Sequence, residues 1–192
     1  MRYDPEHKEK TRRKILEGTH RGFRRKGFDG AGVDSLASEA GLTSGAFYKN
    51  FKSKVDAFRA SIALGVGDFQ EAVVTFQEEH GEKWLDRFAR FYLGEKRCTD
   101  LSDSCALQSL TSEVTRLDSA TKGTFEEALI KSAKTFSEGL PNSEGEIDDR
   151  AWADLALLVG GATLARAVKD PALADTIAKA AHKAIIYRSK NE

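Results

Sequence analysis

The sequence predicts an all-α protein with a small N-terminal head and a larger helical body. Apolar residues recur at helical intervals along nearly the whole chain, and no stretch alternates between apolar and polar residues as a half-buried strand would. Only three prolines occur in 192 residues, which is too few for a loop-rich β fold. We therefore expect about nine α-helices.

The first helix is expected to span about residues 7–26. Its inner stripe includes Ile15 and Phe23. Gly27 then stands where a left-handed residue commonly ends a helix, and Phe28 is placed to fold back onto Phe23. This segment therefore predicts a long amphipathic helix with a defined C-terminal boundary.

Two short helices are expected next, at 33–40 and Ser44–Asn50. Gly41 supplies the positive φ that a tight turn between them requires. Thr43 is the expected N-cap of the second short helix, and Ser53 is the expected N-cap of a long helix that follows. The head is therefore expected to contain a closely joined pair of short helices.

Gly81 is expected to end the long helix, and five further helices follow. Apolar clusters predict helices at 84–92, 107–117 and 125–136, with a polar loop over 98–104 and a break at 139–142. Residues 147–169 are apolar almost all round, as in a helix buried on several sides. Asp170 and Pro171 provide an N-cap and a first-turn proline for the last helix. The residues expected to face inward on it are Leu173, Ile177, Ala181 and Ile185.

Charge is unevenly distributed along a chain whose formal net charge is zero. Residues 1–60 contain 14 Lys/Arg and 8 Asp/Glu, a net charge of +6, and the other 132 residues carry −6. A basic end beside an acidic remainder favours a head that meets a polyanion, although a solvated basic helix has the same composition. No apolar run is long enough to cross a membrane and no signal peptide is recognisable, so we expect a cytoplasmic protein. The two cysteines do not form a disulfide framework.

Residues 33–51 carry the most informative pattern. Ala37 is small enough for two helices to cross closely, and Gly41 forms the turn between them. The expected shared core consists of Leu36, Ala40, Leu42, Phe47 and Phe51. This arrangement is typical of a helix-turn-helix, whose second helix enters the DNA major groove.

The segment Phe47-Tyr-Lys-Asn-Phe-Lys-Ser-Lys54 resembles the corresponding block of the TetR family. The specific resemblance covers roughly residues 10–60, and beyond it only the number and length of the helices agree. It implies a DNA-binding domain over 1–56 and a ligand-sensing and dimerisation domain over 57–192. The chain departs from the family pattern at Gly32, where a threonine is frequent, and at Asn50, where a histidine is frequent.

Seven residues are expected to contact DNA. The N-terminal residues of the recognition helix face base edges, and small side chains there permit close approach. By resemblance, a tyrosine and two lysines near the end of the motif hold phosphates, which fix the register without specifying sequence. The candidates are Thr43 and Ser44, which can donate to a base or a phosphate, Gly45 and Ala46 at the bases, and Tyr48, Lys49 and Lys54 at the phosphates. Each has an ordinary structural alternative, as a cap, a core aromatic or a solvated lysine.

The resemblance implies a homodimer that binds palindromic double-stranded operator DNA and is released from it by a small-molecule inducer. The last two helices suit the dimer interface, because they are rich in alanine and Gly160-Gly161 permits close approach of backbones. Core packing within one chain is the alternative reading of the same residues. Aromatic residues between Phe69 and Trp152 are candidates for an apolar inducer pocket, or else for plain core. Whether the protein represses or activates depends on the position of the operator.

Residues 103–114 resemble a segment of one TetR subgroup in which a cysteine opens the sixth helix. Some members of that subgroup use the cysteine to sense oxidants or electrophiles. The N-terminus of a helix favours a thiolate, so Cys105 is a candidate sensor. Cys98 lies across a short polar loop and is a candidate partner that would resolve a sulfenic acid as a disulfide. A small buried core residue is the competing reading of Cys105.

An enzyme is the main competing class of protein, and the sequence does not favour it. The four histidines are scattered, without the spacing of metal ligands. No glycine-rich phosphate loop is present, and Cys105 has no local histidine to activate it as a nucleophile. We therefore expect no catalytic residue, no metal and no cofactor.

Overall fold

The structure is a computed structural model that describes residues 5–141 and 145–191, with side chains described for 12–141 and 145–189. Within these residues every regular element is helical, which confirms the predicted all-α class. The α-helices are α1 (Pro5–Gly30), α2 (Val33–Glu39), α3 (Ser44–Asn50), α4 (Lys54–His80), α5 (Trp84–Leu93), α6 (Ala106–Ser109), α7 (Thr111–Val114), α8 (Ser119–Glu138), α9 (Asp149–Ala167) and α10 (Pro171–Asn191). Single 3₁₀ turns lie at Gly81–Lys83, Lys96–Cys98 and Leu101–Asp103.

Most predicted boundaries are confirmed by the backbone. Gly81 follows the last residue of α4 with φ of +49°, and Pro171 is the first residue of α10. The Asp170 carboxylate accepts a hydrogen bond from the Ala172 N–H at 2.9 Å, as expected of an N-cap. Asn142, in the predicted break after α8, lies outside the described residues.

Three helices differ from the prediction in their extent, and one of them, α8, begins at Ser119 rather than at residue 125. Gly27 has the expected positive φ of 70°, and the Phe28 ring stacks on Phe23 at 6.2 Å, but helical backbone resumes and α1 continues to Gly30. The helix predicted over 107–117 is divided at Leu110 into α6 and α7. At Leu110 the backbone φ is −115°, well away from the helical value of about −63°, and α6 ends there.

The chain divides into two compact units. The first contains the described residues up to Gly65 together with Leu101–Glu126. Its centre is an aromatic cluster in which Phe23 and Phe28 both meet Phe58 edge-on, at 5.0 and 5.1 Å. The predicted domain boundary after residue 56 stays a prediction.

The second unit contains Val66–Asp100 and the described residues from Glu127 onward. Its aromatic side chains pack directly against one another: Trp84 meets Phe136 at 4.9 Å and Phe69 meets Phe88 at 5.5 Å between ring centroids. The Trp84 indole N–H donates to the Gly139 carbonyl at 2.7 Å. For these residues, packing favours plain core over the lining of an open pocket.

Helices α9 and α10 pack along each other within this second unit, and both contact α5. A Cβ on Gly161 would lie 2.7 Å from the Ala181 Cβ, so this glycine permits close approach inside one chain. A Cβ on Gly160 would meet nothing within 4 Å. The two adjacent glycines therefore face different surroundings.

The inward face predicted for α10 requires one correction. Leu173 is 46 % exposed in the single chain, whereas Ala174 and Ala178 are buried with the predicted Ala181 and Ile185. Residues at helical spacings of three and four share a face, and this set runs 174, 178, 181 and 185. The prediction for Leu173 was wrong because a shift of one residue rotates a side chain by about 100° around a helix.

Candidate nucleic-acid interface

Helices α2 and α3 form the predicted helix-turn-helix. Leu36 and Phe47 are completely buried, and Phe51 is nearly so. Gly41 has φ of +70°, and the next residue, Leu42, donates its N–H to the Ala37 carbonyl at 2.7 Å. The turn therefore depends on a left-handed glycine, as the sequence predicted.

Gly18 of α1 also positions the motif, although no pattern in the sequence indicated this role. A Cβ on Gly18 would lie 2.5 Å from the Ala40 Cα and 2.8 Å from the Glu39 carbonyl oxygen. These are backbone atoms, which cannot yield as a side-chain end can. The absence of a side chain at Gly18 thus sets the distance between α1 and the C-terminus of α2.

The N-terminal residues of α3 lie where the prediction placed them, with one hydroxyl already engaged. The Thr43 side-chain oxygen accepts from the Ala46 N–H at 3.2 Å, which confirms the predicted N-cap and leaves its O–H free to donate. The Ser44 hydroxyl donates instead to the Asp34 carboxylate of α2. Thr43 is therefore the better placed of the two to donate to DNA.

The outward face of α3 carries three of the remaining candidates. Gly45 and Lys49 are exposed, and Tyr48 is 56 % exposed with its ring edge-on to the buried Phe47 at 5.6 Å. Residues spaced by three and four along a helix share a face, so Gly45 and the side chains of Tyr48 and Lys49 lie on one surface. Ala46 is half-buried beside that surface.

Lys54 begins α4 and is held by an aromatic ring of α1. Its Nζ lies 4.5 Å from the Phe28 ring centroid, a cation–π contact that fixes the direction of the ammonium group. The N-terminus of α4 is capped by Ser53, which accepts from the Asp56 N–H at 3.1 Å. The Asp56 carboxylate in turn accepts from the Lys52 N–H at 2.9 Å. These contacts confirm the predicted Ser53 cap.

The two departures from the family pattern have simple local structures. Gly32 is the N-cap of α2 without any side-chain hydrogen bond, and a Cβ there would meet nothing within 4 Å. The Asn50 amide folds back and donates to the Ala46 carbonyl at 2.9 Å. Neither residue offers a side chain directed at a phosphate in this conformation.

The two cysteines belong to different compact units. Cys98 is exposed in the 3₁₀ turn Lys96–Cys98 of the second unit. Cys105 of the first unit is 6 % exposed and is the N-cap of α6, a helix of only four residues. The neighbouring Ser104 carbonyl accepts from the Arg24 guanidinium at 2.7 Å, so the chain beside Cys105 is tied directly to α1.

Two further kinds of site are absent from the described part of the chain. No group of three or more His, Cys, Asp or Glu side chains there is arranged to hold a metal ion. No helix in the same residues has the length and apolar character needed to cross a membrane.

Comparison with known proteins identifies the N-terminal segment. Residues 15–60 match the family described as bacterial regulatory proteins, tetR family. The HTH-type transcriptional regulator YerO of Bacillus subtilis (strain 168) is 26 % identical over 150 residues, which cover 77 % of this chain and 52 % of YerO. The chain thus spans about half the length of this relative.

Solved structures share the fold over almost the whole chain. A TetR-family transcriptional regulator from Cytophaga hutchinsonii superposes with a TM-score of 0.75 at 21 % identity, covering 94 % of this chain and 95 % of that one. The reduced form of NemR from E. coli gives 0.75 at 18 % identity, covering 92 % and 96 %. Residues 15–60, which contain the helix-turn-helix, therefore match the tetR family of bacterial regulatory proteins, and the chain as a whole shares the fold of these solved structures.

Proposed function

We propose that the protein is a cytoplasmic transcriptional repressor that binds a palindromic operator through α3 and releases it when a small-molecule inducer binds. The main support for this proposal is the outward face of α3. Gly45, Tyr48 and Lys49 are exposed there, while Phe47 behind them is buried. A short helix with small, basic and hydroxyl-bearing residues on its free face suits the major groove.

The contacts divide into those that specify sequence and those that position the protein. Thr43, Gly45 and Ala46 open the recognition helix, where a donor and two small residues reach base edges. Tyr48, Lys49 and Lys54 contact phosphates, and the Phe28 ring keeps the Lys54 ammonium in place before DNA binds. Ser44 contributes after it exchanges its bond with Asp34 for one with DNA.

A second copy of this chain is the proposed occupant of the free face of α9 and α10. Leu164 is 61 % exposed and Tyr187 is 68 % exposed, and Trp152 and Leu173 add further apolar surface. Gly160 is open on the same helix as Leu164, so a partner backbone has room to approach. A two-fold interface places two recognition helices about 34–36 Å apart, as a palindromic operator requires.

Release follows from a population shift. In one conformation of the dimer the two heads are spaced to fit the operator, and in another they are not. An inducer that binds the second conformation more tightly than the first shifts the dimer towards it and lowers its affinity for the operator. Operator position decides whether the same binding represses or activates, and we propose repression. The DNA-binding role, rather than any catalytic chemistry, accounts for the residues that the motif brings together.

Substitutions on α3 test the proposal. We expect Lys49→Gln and Tyr48→Phe each to weaken binding to all DNA sequences, because each removes one phosphate contact. For Lys49→Gln, the slope of log affinity against log salt concentration should fall by about 0.9. Fluorescence anisotropy of labelled duplex DNA at several salt concentrations measures the affinity and its salt slope. The end-point of the titration should correspond to two chains per palindrome.

Lys83→Gln is the matched control, since Lys83 lies in the turn after α4 and also loses one positive charge. It should leave affinity and salt slope unchanged. Equal losses in Lys49→Gln and Lys83→Gln would mean that net charge alone drives binding, and α3 would then not be the interface.

Redox control through Cys105 is a second candidate function. The Arg24 bond to the Ser104 carbonyl favours it, because a covalent change at Cys105 would disturb a direct contact with α1. An oxidant such as peroxide converts a thiolate to a sulfenic acid, and a second thiol, from Cys98, then displaces water to form a disulfide. The structural neighbour NemR is described in a reduced form. The 6 % exposure of Cys105 requires local opening before an oxidant reaches it.

Replacement of one sulfur tests this second candidate. We expect Cys105→Ser to bind DNA like the unmodified chain before oxidation and to keep that binding after hydrogen peroxide is added. The unmodified chain should lose binding and regain it with a thiol reductant. An oxidant response that persists in Cys105→Ser would contradict the role of Cys105, and Cys98→Ser then reports whether the exposed thiol acts alone.

A further inference from the structure

We propose that the second unit binds a small organic anion in a cleft of about 320 Å³ between α5 and α10. We call this the basic cleft. Its apolar residues include Leu93 and Ala178, its cationic residues are Arg90, Arg97 and Lys179, and Asp175 and His182 complete the lining. No residue of α3 and neither cysteine lines it, and its occupancy is measured without DNA.

The floor of the basic cleft is apolar and preformed. Leu93 and Ala178 are buried, and Gly94 beside them adds no side chain. The surface that the cleft wall exposes is nonetheless more apolar than polar, so a ligand with an apolar group removes hydrocarbon surface from water when it binds. The volume lies at the lower end of the range for small-molecule pockets, about 300–1,000 Å³, so the apolar part of the ligand is short.

Arg97 is fixed in position at the edge of this floor. Its guanidinium donates to the Leu93 carbonyl at 2.7 Å and to the Asp175 carboxylate at 2.7 Å. Only 12 % of the Arg97 side chain is exposed, whereas 57 % of the Asp175 side chain is exposed. Because these two bonds hold the Arg97 guanidinium, its remaining N–H groups already point in a fixed direction. The Arg97 side chain therefore loses little conformational entropy when an anion binds to it.

The positive charges around the cleft exceed the negative ones. Asp86 accepts from the Arg90 guanidinium at 3.0 Å and also lies 2.8 Å from the His182 Nε2, so its negative charge is already paired with Arg90. Asp175 forms an ion pair with Arg97. Lys179 lines the same cleft, and no ion pair to it is found among residues 12–141 and 145–189. One further anion would therefore complete the charge balance of the cleft.

The cationic residues and the apolar surface of the cleft together indicate the class of ligand. An oxyanion, most simply a carboxylate, would accept hydrogen bonds from Lys179 and from the Arg90–Arg97 edge. A short hydrocarbon part would cover the apolar surface that the cleft wall exposes. We therefore expect a monocarboxylate with a few methylene groups to bind better than a bare oxyanion of the same charge.

Isothermal titration calorimetry with the full chain tests this inference. The probes are acetate, hexanoate, inorganic phosphate and the neutral 1-hexanol. We expect one hexanoate per chain, weaker binding of acetate and phosphate, and no saturable heat with 1-hexanol. Affinity for hexanoate should fall about tenfold in Lys179→Gln, the loss expected for one charge-assisted hydrogen bond.

Lys183→Gln provides the matched control, because Lys183 is exposed on the same helix and does not line the cleft. Hexanoate should bind this variant as it binds the unmodified chain, and both lysine variants should melt at the same temperature. The inference is overturned if hexanoate gives no saturable binding, if phosphate binds as tightly as hexanoate, or if Lys179→Gln and Lys183→Gln behave alike.

Discussion

Replacement of Gly18 by alanine is expected to lower the free energy of unfolding by about 3 kcal/mol, at the upper end of the usual cost of overpacking. The added methyl group would lie 2.5 Å from the Ala40 Cα and 2.8 Å from the Glu39 carbonyl oxygen. Because both are backbone atoms, α1 and α2 must move apart. DNA binding should fall with stability, since Ala40 directly precedes the Gly41 turn of the helix-turn-helix.

Urea unfolding followed by circular dichroism measures this change, and Gly67→Ala is its control. Gly67 lies within α4, and a Cβ there would meet nothing within 4 Å. Alanine has the higher helix propensity, so Gly67→Ala should stabilise the protein by about 0.5–1 kcal/mol. If Gly18→Ala also stabilised the protein, the close approach of α1 and α2 would not exist in solution.

Acidification from pH 7 to pH 5 is expected to destabilise the protein by about 2 kcal/mol through His20 alone. Burial, followed by the charges of Arg24 and Arg21, lowers the pKa of His20 from 6.5 to about 3. The ring fills the space beside Gly65 and Ala106, and among the described residues neither ring nitrogen has a hydrogen-bond partner. The imidazole is therefore neutral in the folded chain.

The sign of the effect follows from where the proton binds. Below pH 6.5 the unfolded chain takes up a proton at His20 and the folded chain does not, so the free energy of unfolding falls as pH falls towards 3. Unfolding by urea at pH 7, 6 and 5 should show this slope in the unmodified chain. His20→Leu should remove it, because leucine does not titrate.

His80→Gln is the control, since His80 is an exposed histidine at the end of α4. This variant should keep the full slope between pH 7 and pH 5. A slope that survives in His20→Leu would place the titrating group elsewhere, and the buried neutral imidazole would then not control acid stability.

Features set by local chemistry were predictable from the sequence. Thr43 caps α3, Gly41 has a positive φ and Pro171 begins α10, because each depends on the backbone within a few residues. The exposed face of α3 was predictable for a related reason. Once Phe47 is assigned to the core, helical spacing places Gly45 and Tyr48 outward.

Features set by contacts between distant segments were not predictable. Gly18 resembles any helical glycine until α2 is placed against it. The Lys54 ammonium lies over the Phe28 ring, 26 positions earlier in the sequence, and no local pattern indicates that pair. The basic cleft likewise joins Arg97 to Lys179 across most of the second unit.

The inward face of α10 was misassigned for a physical reason as well. Alanine contributes little to an amphipathic pattern, so Ala174 and Ala178 did not outweigh the larger Leu173. Burial on this helix follows close packing against α9, where Gly161 admits Ala181. A pattern based on large apolar residues therefore selected the wrong neighbour by one position.

Selection of bound fragments from a pool of random double-stranded DNA tests the central claim most directly. The purified chain is mixed with the pool at low salt, where electrostatic binding is strongest, and bound fragments are sequenced after several rounds. We predict enrichment of one palindrome with half-sites about one helical turn apart. Recovery of an unenriched pool at every salt concentration would contradict sequence-specific DNA binding by this protein.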